Sequence, residues 1–192
     1  MNKNRIEAFS DGVMAIIITI MILEIKAPER SDLSSLLPLI PVFLSYVLSF
    51  IYIGIYWNNH HHMFQVVKKI DGSVLWLNTA LLFWLSLIPF ATSWMGGQSF
   101  STIPIACYGC ILLMCAISYT LLQNRIIKLE GTESVLQHAV NKDKKGKISL
   151  ACYISAIPLA FVSPIISGIL YIFVALMWVI PDKRIENQIN KL

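Results

Sequence analysis

Long apolar segments separated by short polar ones dominate the pattern along the chain. Six of them can be distinguished, at about residues 6–25, 38–60, 74–94, 103–123, 148–163 and 165–180. A helix of about 20 residues crosses the roughly 30 Å hydrocarbon layer of a bilayer. The pattern therefore predicts an all-α polytopic membrane protein with six transmembrane helices in a single domain.

The last two segments come from one apolar stretch, residues 148–180, which is interrupted by Pro158, Pro164 and Gly168. The stretch is long for one crossing and slightly short for two. Proline lacks a backbone donor and begins helices well, so we divide the stretch near Ser163 and Pro164. The sequence pattern does not decide whether both halves cross the membrane fully.

Composition excludes a soluble protein, because 56% of the 192 residues are hydrophobic and only 14% are charged. Soluble domains are about one quarter charged. The net charge of +4 is too small and too scattered for nucleic-acid binding. The basic start is followed by an apolar run without a small-residue cleavage site before Glu24, which predicts a retained span rather than a signal peptide.

The distribution of Lys and Arg predicts the orientation. If the chain crosses a cell membrane six times and starts on the cytoplasmic side, every basic residue except Lys26 and Arg30 falls on that side, where such residues accumulate. Five spans would place Lys183, Arg184 and Lys191 outside. Both termini are therefore expected in the cytoplasm. The polar segment 124–147 is too short for a catalytic domain, so no enzyme is expected.

No cofactor or metal site is expected either. Cys107-x-x-Cys110 has the spacing of a metal site but no second pair or histidine nearby, and Cys115 and Cys152 also lie in apolar runs. We interpret all four as buried thiols. The chain contains no Walker loop, dinucleotide fingerprint, nucleophile elbow or Thr-Val-Gly-Tyr-Gly filter.

Ionisable residues at the head of the first span need partners. Asp11 lies about one turn deep, where an unpaired carboxylate would cost several kcal/mol. Arg5, in the same chain or in a neighbouring one, is a candidate partner. The alternative is that Arg5 extends to the interface and Asp11 stabilises the helix start. Deeper in the span, Ile16, Ile20 and Leu23 share one stripe beside Thr19, a pattern that also suits a lipid-facing helix.

Three adjacent histidines, His60 to His62, end the second span. Neighbours on a helix point about 100° apart, and helical metal pairs need histidines four residues apart. Haem or zinc ligation is therefore disfavoured. We expect one or two of the histidines to face inward and to bond polar groups of other spans, the candidates being Asp11, Ser10 and Asn78. Tyr56 and Trp57 could be interfacial anchors.

The sequence Arg5-x-x-x-Phe9-Ser10-Asp11 at the head of the first span resembles the hallmark motif of the lysosomal transmembrane potassium-channel family, in its single-repeat bacterial form. The similarity covers roughly the first half of the chain. It includes Trp57-x-x-His60-His61 with Phe64, Asp71 before Leu75-Trp76-Leu77-Asn78, and Leu87-Ile88-Pro89-Phe90. One departure is His62, where the family pattern has arginine.

The resemblance implies a homotetramer of six-helix subunits that conducts potassium ions through a pore lined by the first helix. Rings of Ile16, Ile20 and Leu23 would form the constriction, and Thr19 would contribute to a modest preference for potassium over sodium. The motif residues would hold the pore helix in place: Arg5, Phe9, Ser10, Asp11, Trp57, His60, His61 and Asn78. The expected partners are potassium, the bilayer and further copies of the chain.

Two other functions are compatible with the same residues. A small secondary or proton-coupled transporter could use Asp11 and the cluster His60 to His62 as a proton relay. A membrane redox or haem protein could use the same histidines as ligands.

Overall fold

The computed structural model describes residues 3–131, 134, 136–137 and 143–179, and the regular elements in these ranges are all helical. The prediction of an all-α protein is confirmed. Four of the basic residues that predict the orientation lie outside the described residues: Lys142, Lys183, Arg184 and Lys191. Residue 180, the end of the last predicted span, also lies outside them. The helices are α1 (Lys3–Leu23), a 3₁₀ helix (Leu33–Leu39), α2 (Ile40–Gln65), α3 (Gly72–Ser86), α4 (Ile88–Gly97), α5 (Thr102–Glu130), α6 (Lys144–Leu159) and α7 (Pro164–Val179).

In the described part of the chain, four helical segments are long and apolar enough to cross a membrane: α1, Leu33–Gln65, Gly72–Gly97 and α5. The pair α6 and α7 has 16 residues in each helix. At 1.5 Å per residue, each is about 24 Å long, shorter than the hydrocarbon layer. Pro164 begins α7, where the sequence pattern divided the last stretch. That both helices cross the membrane stays a prediction.

The third predicted span consists of two helices. Pro89 has no N–H to bond the carbonyl of Leu85, so the helical ladder is interrupted there. The N–H of Leu87 instead bonds the carbonyl of Trp84 at 3.2 Å in a tighter turn. The chain continues as α4 directly after this turn, so that α3 and α4 together have the length of one crossing.

Helix α5 is central, since it packs against α3, α4, α6 and α7. Tyr108 of α5 fills the core together with Tyr52 and Tyr171 of the neighbouring helices. Their hydroxyl groups form buried hydrogen bonds, such as that of Tyr52 to the carbonyl of Tyr171 at 2.7 Å. Gly109 of α5 is required for this packing, because a Cβ there would collide with the Tyr171 hydroxyl. These contacts join α2, α5 and α7 into the body of the subunit.

Helix α1 packs mainly against α2, α3 and α4, so it lies at the edge of the bundle. One face of α1 is buried in these helices: Ile6, Ser10, Met14, Ile17 and Met21. A second face of α1 is left partly exposed by the described residues. This face carries the stripe that the sequence singled out.

Candidate functional site on the first helix

The buried face of α1 is fixed by a hydrogen-bonded chain through three helices. The side chain of Asn78 on α3 donates from Nδ2 to Ser10 Oγ on α1 at 3.0 Å. Its Oδ1 lies 2.8 Å from Nε2 of His60 on α2. Since the Asn78 carbonyl oxygen is an acceptor, His60 donates from Nε2. All three residues are buried, so this series of hydrogen bonds joins α1, α3 and α2 away from water.

His60 has the inward orientation that the sequence predicted for one or two of the histidines. Its ring stacks on Phe64 with centroids 4.4 Å apart, and it reaches Ser10 through Asn78. His61 and His62 are half-buried and lie near Gln65, with His61 Nε2 2.9 Å from Gln65 Nε2. Among the described residues, no group of three His, Cys, Asp or Glu side chains is arranged to hold a metal ion.

Asp11 is bonded to a tryptophan rather than to an arginine. Trp57 donates from Nε1 to Asp11 Oδ1 at 3.0 Å, and its ring stacks on His61 with an interplanar angle of 15°. Within the described part of one chain, Arg5 forms no ion pair with Asp11, so the same-chain pairing considered above is not observed. Among the described residues, no hydrogen bond joins Asp11 to a histidine, as a direct relay between them would require.

The partly exposed face of α1 presents the predicted stripe to the outside of the subunit. Ile16 is 58% exposed, Ile20 is 43% exposed and Leu23 is 78% exposed. Phe9 is exposed on the same side, one turn or more before them. Large aliphatic side chains this exposed require either lipid or another protein surface against them.

Thr19 lies on the exposed side of α1 next to the stripe. Its hydroxyl donates to the carbonyl of Ile16 in the same helix at 2.8 Å. The two lone pairs of the hydroxyl oxygen are therefore directed away from the helix backbone. Thr19 can offer an oxygen ligand to a cation without breaking that bond.

A groove of about 670 Å³ runs beside the stripe, between α1 and the α3–α4 segment. Ile16 and Ile20 line one wall, and Pro89, Phe90 and Trp94 line the other, giving a mainly apolar surface. At the end of the groove Ser93 donates to Glu24 Oε2 at 3.0 Å. The sequence pattern did not identify this pair, because nothing in it relates positions 69 residues apart.

The N-terminal end of α1 lies beside several polar contacts that the sequence pattern also missed. Lys3 Nζ donates to the carbonyl of Gln65 at 3.1 Å, at the C-terminus of α2, where a cation is favourable. Asp71 caps α3 by accepting from the N–H of Val74 at 2.9 Å and pairs with Arg125 of α5. The Arg125 guanidinium holds the pKa of the Asp71 carboxyl below its usual value. The one available signal was Asp71 itself, a good N-cap residue before an apolar run.

Several known proteins are similar to this chain. Residues 5–89 match the family model described as "Endosomal/lysosomal potassium channel TMEM175". A potassium channel of Chryseobacterium sp. (strain P1-3) is 55% identical over 191 residues, covering 100% of each chain. A potassium channel of Chamaesiphon minutus is 34% identical over 175 residues, covering 83% of this chain and 84% of that one.

The fold has a solved counterpart. The crystal structure of a lysosomal potassium-selective channel TMEM175 homolog from Chamaesiphon minutus superposes with a TM-score of 0.81 at 31% sequence identity. The superposition covers 94% of this chain and 97% of that one. The similarity therefore extends over α1 to α7 and is not confined to the motif-bearing half.

Proposed function

This chain belongs to the TMEM175 family of potassium channels, and from that premise we propose that potassium ions cross the membrane between copies of α1. The chain is a multi-pass membrane protein and a channel. Relatives that are named potassium channels align with it over 84–100% of their own length. The finer features below, which are the pore lining, the number of subunits and the orientation, are our proposal.

The observation that carries the proposal is the division of α1 into a fixed face and an uncovered one. The chain Ser10–Asn78–His60 sets the rotation of α1, and that rotation turns Ile16, Ile20 and Leu23 away from the subunit. If four copies meet about a four-fold axis, closed symmetry gives a central channel lined by these side chains. The exposed stripe then faces other copies rather than lipid.

Rings of branched aliphatic side chains can control ion conduction by a simple mechanism. A narrow apolar constriction expels water and blocks ions, and a small increase in its width allows water and cations to enter. A cation has to lose part of its hydration shell there, which requires less free energy for potassium than for sodium. Thr19 offers a hydroxyl oxygen beside Ile20, so we expect a modest preference for potassium.

The proposed orientation places the N-terminus of α1 in the cytoplasm. Lys3, Lys68, Lys69 and Arg125 support it, because their contacts gather them at the same end of the bundle. Basic residues accumulate on the cytoplasmic side of membrane proteins. In a tetramer, Arg5 at this end could meet Asp11 of the adjacent copy, the arrangement that the single chain leaves open.

The test is potassium flux into proteoliposomes that contain purified wild-type protein, Ile20→Asn or Leu23→Asn. A polar ring hydrates the constriction, so we expect each variant to raise flux about ten-fold or more, since a drop of about 1.4 kcal/mol in the barrier suffices. Ile22→Asn is the matched control, because Ile22 lies at the same depth on another face of α1 and should leave flux unchanged.

Two results would contradict the proposal. Unchanged flux in both pore variants, with tetramers intact by crosslinking, would show that this stripe does not line the pore. Flux that saturates and is driven by a proton gradient would instead favour the proton-coupled transporter that uses Asp11 and the histidines.

A further inference from the structure

Glu24 occupies a distinctive position at the end of the proposed pore helix. It follows Leu23, the last residue of α1, and lines the same groove as Ile16 and Ile20. Its carboxylate is held toward that groove by the hydroxyl of Ser93 on α4, at 3.0 Å from Oε2. A charged group is thus fixed directly after the aliphatic stripe.

Local helix chemistry does not explain an acidic residue at this position. The C-terminus of a helix carries a partial negative charge from its unpaired carbonyl groups, and cations are favourable there while anions are not. The last turn of α1 contains no basic residue to compensate. The carboxylate and the helix terminus therefore add their negative potentials at one place, an arrangement that attracts cations.

The surrounding charges leave this potential in place. In the proposed orientation, the outer segments 24–39, 97–101 and 160–163 carry five charged residues, all between positions 24 and 32. Arg30 and Asp32 pair with each other at 3.7 Å. The remaining three are Glu24, Lys26 and Glu29, two acids and one base, so the net charge is −1 for each chain.

We propose that the Glu24 carboxylates of the assembled channel form a ring at its outer mouth that concentrates potassium ions and sets the inward conductance. This inference rests on the proposed function, because it requires the α1 stripe to line the pore. Glu24 comes four residues after Ile20, about 6 Å along a helix. That is within the Debye length of about 8 Å at physiological ionic strength, so the ring acts on ions entering the constriction.

The physical basis is electrostatic focusing. A mouth of one sign of charge with low-dielectric walls raises the local concentration of counter-ions by about ten-fold or more at low salt, and added salt screens the effect. Inward conductance should therefore depend on Glu24 at low potassium and become independent of it at high potassium. A residue with a merely structural role would show no such dependence on ionic strength.

The experiment measures single-channel conductance in planar bilayers at about 20 mM and about 1 M KCl, where Debye lengths are about 20 Å and 3 Å. We expect Glu24→Gln to lower inward conductance at least about three-fold at low salt and less than about 1.3-fold at high salt. Glu29→Gln removes the same charge from the neighbouring loop and is the matched control, with a smaller effect. Glu24→Asp should retain most of the wild-type value.

Ser93→Ala provides a second variant that leaves the charge in place. Without its hydroxyl the carboxylate is free to swing from the groove, so low-salt conductance should fall between wild type and Glu24→Gln. Ser93→Ala also tests the inference if Glu24→Gln does not assemble. Equal conductance of the Glu24 and Glu29 variants, or a loss that persists at high salt, would overturn the inference.

Running Ile20→Asn in parallel separates this inference from the proposed function. If Ile20→Asn raises flux while the Glu24 variants match wild type, the pore lining stands and the outer ring is wrong. If neither residue affects conduction, the proposed pore itself is wrong.

Discussion

Removal of the Asn78 side chain should destabilise the subunit and release α1. Asn78 is 2% exposed and makes two hydrogen bonds, to Ser10 at 3.0 Å and to His60 at 2.8 Å. Asn78→Ala leaves the His60 donor without its buried acceptor and Ser10 without a donor. A buried polar group that loses its partner costs about 1–3 kcal/mol in soluble proteins.

The membrane reduces the contribution of each single bond below that value. Interhelical hydrogen bonds in helical membrane proteins average about 0.6 kcal/mol and reach about 1.7 kcal/mol, because the unfolded chain in the bilayer also finds partners. Two bonds that share one side chain should then contribute about 1–3 kcal/mol to the free energy of unfolding. The interaction between Ser10 and Asn78 alone should be about 1 kcal/mol.

Unfolding in mixed detergent micelles, with increasing sodium dodecyl sulfate, measures these values. The set is wild type, Ser10→Ala, Asn78→Ala and the double variant, which together isolate the pairwise interaction. Thr79→Ala is the matched control: Thr79 is exposed on the same helix and bonds its own backbone, so its loss should change stability by less than about 0.5 kcal/mol.

Two outcomes would refute this reasoning. A stability of Asn78→Ala within about 0.5 kcal/mol of wild type would show that the chain through Asn78 does not hold α1. Additive effects of Ser10→Ala and Asn78→Ala would show that the two residues do not interact as their 3.0 Å separation indicates.

Two further predictions concern the body that supports α1. Asp71→Asn should flatten the fall in stability at acid pH. The Arg125 contact lowers the pKa of Asp71 in the folded protein. The stabilisation from the ionised Asp71 is therefore complete above the ordinary pKa of about 3.9 and is lost as the pH falls through the lowered pKa. Detergent unfolding at a series of pH values checks this, and an unchanged acid limb would contradict it. Gly109→Ala should destabilise the core by about 1–3 kcal/mol through collision with the Tyr171 hydroxyl. Tyr171→Phe should restore part of the loss and Gly97→Ala, which meets open space, should be neutral, both measured by thermal unfolding.

The membrane-spanning segments could be predicted because bilayer thickness imposes their length. The ends of the helices could not be predicted in this way, since hydropathy marks where the membrane ends and not where the helix ends. The second predicted span stopped at His60, yet α2 continues to Gln65, and α5 continues past Gln123 to Glu130. The turn at Leu87 was also missed, although Pro89 was visible in the sequence.

The polar cluster was predictable only in part. Buried polar side chains must find partners, so Ser10 and Asn78 were predicted as partners of the histidines, together with Asp11, which bonds Trp57 instead. The family resemblance, and not the depth of the residues, grouped Asp11 with Trp57, and nothing predicted the pair Glu24–Ser93, because each pair depends on how one helix is rotated against another. Periodicity describes faces within a helix and leaves that rotation undetermined.

The hydrophobic effect also cannot determine how α1 is rotated about its own axis. Lipid tails are as apolar as isoleucine, so burial gives no preference between Ile16 and Ile17 as the inward residue. A turn of about 100° would exchange them. Polar bonds decide instead, from Ser10 and Asp11 near the start of α1 and from Glu24 after its end.

The distribution of those bonds along α1 suggests where the helix can move. Between Asp11 and Glu24, the side-chain hydrogen bonds of the described residues are that of Thr19 to its own backbone and a long contact of 4.0 Å from Thr92 to Met21. The segment that carries Ile16 and Ile20 is therefore held to the subunit chiefly by apolar packing. Such packing allows small lateral shifts between two fixed ends, and a shift of this kind is sufficient to hydrate an aliphatic constriction. We therefore expect substitutions at Ser10 or Asn78, near the start of α1, to change how often the channel opens, and substitutions in the stripe to change how well it conducts.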